Sequence, residues 1–104
     1  MSDVIEEKLK EGLPLIVDFG SSTCIPCKMI KPVLEQLAEE YAGKVNIMIL
    51  DVYEHMELAQ KFGIMSVPTQ LFYDADGKLL GNHIGFLDKD SLREIIKDQF
   101  SVTV

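Results

Sequence analysis

The sequence predicts an α/β domain in which a mixed central sheet of four to five strands is covered on both faces by four helices. Three observations point there. Segments with apolar residues at helical spacing alternate along the chain with short, continuous apolar runs of strand length. The turn sequence Asp74-Ala75-Asp76-Gly77 joins two of the later runs as an antiparallel hairpin. The length, 104 residues with 47% hydrophobic content, suits one core and therefore one domain spanning 1–104.

Taken in order, Asp3 to about Lys10 places Val4, Ile5 and Leu9 on one side and charges elsewhere, a short amphipathic helix that Gly12-Leu13-Pro14 stops. Leu15 to Phe19 is an apolar run broken only by Asp18, which fits a strand buried on both faces. A helix follows from about Pro26 to Tyr41, with Ile30, Val33, Leu34, Leu37 and Tyr41 at helical spacing. Pro32 should interrupt and kink it, because proline removes a backbone hydrogen bond, and Gly43 reads as its stop. Val45 to Val52 reads as a second buried strand. Met56 to Phe62 is a short helix ended by Gly63. Pro68 precedes a third strand, Thr69 to Tyr73, and Lys78-Leu79-Leu80 begins the fourth. After Gly85, Asp88 caps a last helix with a buried stripe of Leu92, Ile95, Ile96 and Phe100.

Composition narrows the function. Ten basic against 17 acidic residues give a net charge of −7, spread over both halves of the chain. Such a surface repels phosphate backbones and anionic lipid, which argues against nucleic acid or a membrane as partner. No run of apolar residues has transmembrane length, and the acidic, amphipathic N-terminus does not read as a signal peptide. The expected location is the cytoplasm, where thiols are kept reduced.

The two cysteines form Cys24-Ile25-Pro26-Cys27 at the start of the long helix. Two cysteines placed at random fall three apart in roughly one chain of this length in fifty. A structural disulfide that closes so short a loop removes little unfolded-state entropy. A zinc site needs about four ligands, and His55 and His83 are not spaced as a pair, so no metal site is expected. A thiol at a helix N-terminus, by contrast, meets free N–H groups and a partial positive charge, and its thiolate is favoured. The pattern reads as a cycling dithiol, with a metal half-site shared across a dimer and an inert pair as the other readings. Asp18, a carboxylate in an apolar strand, either points to solvent at the strand end or is buried with a raised pKa. Met29, Met48, Met56 and Met65 read as core or edge fillers. His55 and His83 read as exposed.

Val17-Asp18-Phe19, Cys24-Ile25-Pro26-Cys27-Lys28, Pro32, Val67-Pro68-Thr69 and Ile84-Gly85 together resemble the thioredoxin family, in its order and at nearly its spacing over almost the whole chain. The resemblance implies the thioredoxin fold and a thiol–disulfide oxidoreductase that reduces protein disulfides without a bound cofactor, as a monomer. It makes Cys24 the attacking cysteine, Cys27 the resolving one and Asp18 the proton acceptor for Cys27. It implies a cis peptide bond before Pro68, which would present the backbone of Val67 to an extended substrate. Thr23, Ile25, Pro26, Val67, Pro68 and Gly85 would line the substrate site. The implied partners are protein disulfides and a reductase, either a flavoprotein thioredoxin reductase or a ferredoxin-linked enzyme. A disulfide oxidase or isomerase of higher potential, or a non-catalytic adaptor, is the alternative.

Four departures from the family pattern stand out. Ile25 replaces the usual glycine between the cysteines, and Thr23 and Gly20 stand where thioredoxins usually carry tryptophan. The lysine that usually partners the strand aspartate is missing, its place falling near Ile49. A smaller apolar rim around Cys24 and a carboxylate protonated to higher pH are the expected consequences.

Overall fold

The computed structural model describes residues 2–103. The elements run α1 (Val4–Leu9), β1 (Leu15–Gly20), α2 (Ile25–Glu40), β2 (Asn46–Asp51), α3 (Met56–Lys61), β3 (Thr69–Tyr73), β4 (Leu79–Ile84) and α4 (Lys89–Phe100), the order read from the sequence. Side-chain caps set two of the helix starts. The Asp3 carboxylate accepts the Glu6 N–H at 2.8 Å, and the Asp88 carboxylate accepts the Ser91 N–H at 2.8 Å.

The strands form one sheet in the order β2-β1-β3-β4. β1 runs parallel to β2 and antiparallel to β3, and β4 completes an antiparallel hairpin with β3. Side chains of a strand alternate between faces. On one face Leu15, Val17 and Phe19 of β1 pack with Ile5 of α1 and Leu58 of α3. On the other, Ile16 and Phe72 pack with Ile30, Leu34 and Leu37 of α2 and with Leu92 and Ile96 of α4. By the same alternation Asp18 and Gln70 share the α2 side with Ile16 and Phe72. The register lines up Ile49, Asp18, Gln70 and His83 as one row across all four strands.

Several expectations change. β2 is not a fully buried strand: it spans Asn46–Asp51 at the sheet edge, mostly half-buried, with Ile49 38% exposed. Its apolar run matches a central strand, but nothing in that run says how many neighbours it has. Pro32 sits inside α2, which continues through it; lacking an N–H, it cannot bond to the Lys28 carbonyl. α2 ends at Glu40 with Tyr41 as cap, so Gly43 lies in the following turn at φ +80° and does not stop the helix. Val4 is exposed, leaving Ile5 as the buried anchor of α1. The second hairpin strand extends to Ile84.

Candidate active site

α2 begins directly after Cys24, whose extended backbone (φ −89°, ψ 120°) makes it the N-cap. Pro26 falls in the first turn, where its missing N–H leaves no bond unmade. Cys27, one turn along, points its own N–H back at the Cys24 sulfur at 3.2 Å. The Cys27 N–H, one of the free N–H groups of the helix start, is thus aimed at Cys24 Sγ, an arrangement that favours a thiolate there. The two cysteines are joined as a disulfide. Cys24 is half-buried and Cys27 only 7% exposed, so the first sulfur is the one a partner can reach. Ile25 is 70% exposed beside it and Thr23 is exposed just before it.

The loop before β3 comes up against the same point. The Val67–Pro68 peptide bond is cis, and the Val67 carbonyl oxygen lies 3.6 Å from Cys24 Sγ. Pro68 itself is buried, with its carbonyl accepting the Gly85 N–H at 2.8 Å. Gly85, at φ +106°, adopts a backbone that favours glycine. Cys24, Val67, Pro68 and Gly85 therefore meet at one end of the sheet, flanked by Ile25 and by Ile84, which is 62% exposed. Thr23 and Pro26 lie at the margin of this cluster without a bond to it; the Thr23 hydroxyl faces Ser21 at 3.4 Å.

Asp18 lies beneath Cys27 and is only 2% exposed, which rules out the solvent-facing reading. Burial raises its carboxyl to about 6 from an ordinary 3.8, partly offset by a hydrogen bond from Gln70. A half-open cleft of about 470 Å³ runs between α2 and β2, lined by Asp18, Gly20, Cys27, Lys28, Lys31 and Ile49 among others. A Cβ on Gly20 would sit 3.3 Å from Cys27 Sγ and 3.7 Å from Asp18 Oδ2. The Cys27 sulfur and the Asp18 carboxyl group thus flank one point, separated by a gap that glycine leaves open. Ile49, opposite Asp18 on β2, supplies no charge.

Gln70 was not legible as a site residue. It is wholly buried and its Nε2 donates to Asp18 Oδ1 at 2.9 Å. A polar residue opening the apolar stretch Leu71-Phe72-Tyr73 was the available signal, but its neighbour depends on strand register. His83, expected to be exposed, is half-buried, with Nδ1 2.9 Å from Gln70 Oε1. Met29, Met56 and Met65 are exposed rather than core fillers, and only Met48 packs against the core. Helical spacing from Ile25 carries Met29 to the open face of α2, and Met65 stands on the loop before Pro68. Among the described residues, no group of three or more His, Cys, Asp or Glu side chains is placed to hold a metal ion.

A model of the family described as Thioredoxin matches residues 2–98. This chain belongs to the thioredoxin family. A thioredoxin of Staphylococcus saprophyticus is 45% identical over 92 residues, covering 88% of this chain and 86% of that protein. Thioredoxins of Staphylococcus haemolyticus and Staphylococcus aureus are 44% and 43% identical over 91 residues, with the same coverage. The architecture is the thioredoxin fold, with a four-stranded mixed sheet and four helices among the described residues. Family membership and the Cys24–Cys27 disulfide identify a thiol–disulfide oxidoreductase, one that reduces disulfides. Its family implies protein disulfides as substrates and a reductase as electron donor. Among the described residues, no helix is long and apolar enough to cross a membrane.

Proposed function

We propose that this thioredoxin works in the cytoplasm as a monomer, without a bound cofactor, and that Cys24 attacks, Cys27 resolves and Asp18 carries the proton. The Cys24 thiolate attacks a substrate disulfide, forming a Cys24–substrate disulfide and expelling one substrate thiolate. Cys27 gives its proton to the Asp18 carboxylate and attacks Cys24 Sγ. The Cys24–Cys27 disulfide forms, the second substrate thiolate leaves, and two electrons have passed to the substrate. Val67 offers its backbone to an extended substrate segment, which would lie as an added strand beside Cys24, with Gly85 at the rim of that groove. Thr23, Ile25, Pro26 and Pro68 shape the rim of that groove.

The observation that carries this reading is the unequal placing of the two sulfurs: Cys24 within reach at the helix start, Cys27 buried above Asp18. A reductase restores the dithiol, either a flavoprotein thioredoxin reductase or a ferredoxin-linked enzyme. Incubation of the oxidised protein with each, with free thiols counted, tells the donors apart.

Two variants test the roles. Cys24→Ser should lose all reduction of a disulfide-bonded protein, and Cys27→Ser should accumulate a mixed disulfide with it. Substantial turnover by Cys24→Ser would sink the assignment. Equilibration in thiol–disulfide buffers should place the pair at or below the glutathione poise, about −220 to −260 mV. A much higher potential would make the chain an oxidant.

A further inference from the structure

The row of side chains that crosses the sheet beneath the cysteines contains a polar pair that the exchange chemistry does not use. Gln70 is wholly buried, yet every hydrogen-bonding position of its amide that the site can serve is taken. Nε2 donates to Asp18 Oδ1 at 2.9 Å and to the Gly85 carbonyl at 3.2 Å, and Oε1 faces His83 Nδ1 at 2.9 Å. This fixes the amide's orientation. Turned by half a rotation, its oxygen would face both the Gly85 carbonyl and Asp18 Oδ1, acceptor against acceptor. The same logic assigns His83: with Oε1 opposite, its Nδ1 must carry the hydrogen.

We propose that Gln70, held by His83 and the Gly85 carbonyl, is the positioning residue that decides which oxygen of Asp18 exchanges a proton with Cys27. Oδ1 is engaged by the amide and stays an acceptor. Oδ2, on the cleft side, is left as the oxygen that takes the Cys27 proton and returns it to water in the cleft. The inference rests on the reading of Asp18 as proton carrier. Gln70 also gives the carboxylate the neutral donor that it needs, since Ile49 across β2 has no charge to offer. The charged groups on that side of Asp18 are Lys28 and Lys31 of α2, Asp51 at the end of β2 and Glu54 just beyond it, all at the cleft wall. His83 stands on β4, the opposite sheet edge, and meets the site through Gln70.

The test follows the Asp18 carboxyl carbon by NMR through a pH titration of the oxidised protein, beside the pH profile of disulfide reduction. Gln70→Leu removes a hydrogen bond that favours the ionised form, so the Asp18 midpoint should rise by about one pH unit. Fewer carboxylates are then ionised at pH 7, and reduction there should fall about twofold, with the profile shifted alike. His83→Phe, on the half-buried edge strand, should move the midpoint in the same direction by less. His83→Asn, whose Nδ2 keeps a donor in place, should restore it. An unmoved midpoint in both Gln70→Leu and His83→Phe would overturn the proposal while leaving Asp18's role standing. Equal shifts in His83→Phe and His83→Asn would overturn the part given to His83. A midpoint that moves while the reduction profile does not would remove Asp18 as proton carrier, and the proposal with it.

Discussion

Asp18 and Ile49 face each other across β1 and β2, a buried carboxylate paired in register with an apolar side chain. Among the described residues no cation is bonded to Asp18, and its carboxyl stands at about 6 because burial dominates and the Gln70 hydrogen bond opposes it. Burying a carboxylate is unfavourable, and a group held near neutrality can both take and release a proton under physiological conditions.

Ile49→Lys should reverse this. At 38% exposure, the position has room for an ammonium at the cleft while the lysine stem stays on the sheet. An opposite charge near the carboxylate favours its ionised form, so the Asp18 midpoint should fall from about 6 by about one unit or more. Titration of the carboxyl carbon in the oxidised protein checks it; an unchanged midpoint would mean that the lysine lies away from the cleft.

Asp18→Asn should change how stability depends on pH. The folded carboxyl titrates at about 6 and the unfolded one at its ordinary 3.8, so the folded chain binds the extra proton between those values. Stability is therefore fully present below the unfolded value, falls as pH rises through the folded one, and remains lower above it. The penalty is on the order of 3 kcal/mol. Asparagine carries no charge and keeps an oxygen for the Gln70 donor. The variant should match the parent near pH 3 and exceed it in urea unfolding at pH 8. A difference that stays flat across that range would contradict the raised carboxyl.

The element order, the hairpin, the cap at Asp88 and the cysteine helix were all legible in the sequence, because each rests on local signals: apolar period, turn residues, a capping carboxylate. The resemblance pairs Asp18 with Cys27, and the fold sets their side chains on either side of Gly20. What was not legible depended on pairing between distant segments. β2 reads apolar whether it has one neighbour or two, so its edge position was missed. Gln70 and His83 look like unrelated polar residues until the register of β1, β3 and β4 places them in line with Asp18. Pro32 was read as an interruption, but α2 runs through it as one helix, with Ile30, Leu34 and Leu37 packed in the core.

That packing makes Leu34→Ala a test of the site's foundation. Leu34 is fully buried on α2 against the face formed by Ile16 and Phe72. Truncation removes transfer free energy and leaves a cavity, a loss of about 2–5 kcal/mol. Urea unfolding should show it as a lower midpoint with an unchanged slope. Wild-type stability would mean that the neighbouring side chains close the space.

Gly20→Ala addresses the gap between sulfur and carboxylate. The backbone of Gly20 is not in the left-handed region, so alanine meets no conformational penalty there. Its methyl, however, would sit 3.3 Å from both Cβ and Sγ of Cys27 and 3.7 Å from Asp18 Oδ2. The first two contacts are too close, and Cys27 must move by a few tenths of an ångström. Overpacking of this kind costs about 1–3 kcal/mol in a well-packed site. The methyl also enters the space through which the Cys27 proton would reach Asp18. The variant should therefore unfold at lower urea and, more tellingly, release reduced substrate more slowly, with the mixed disulfide at Cys24 persisting longer. Trapping that intermediate by rapid acid quench measures the second effect separately from stability. An intermediate that decays at the parent rate in a destabilised variant would show that the gap serves packing alone.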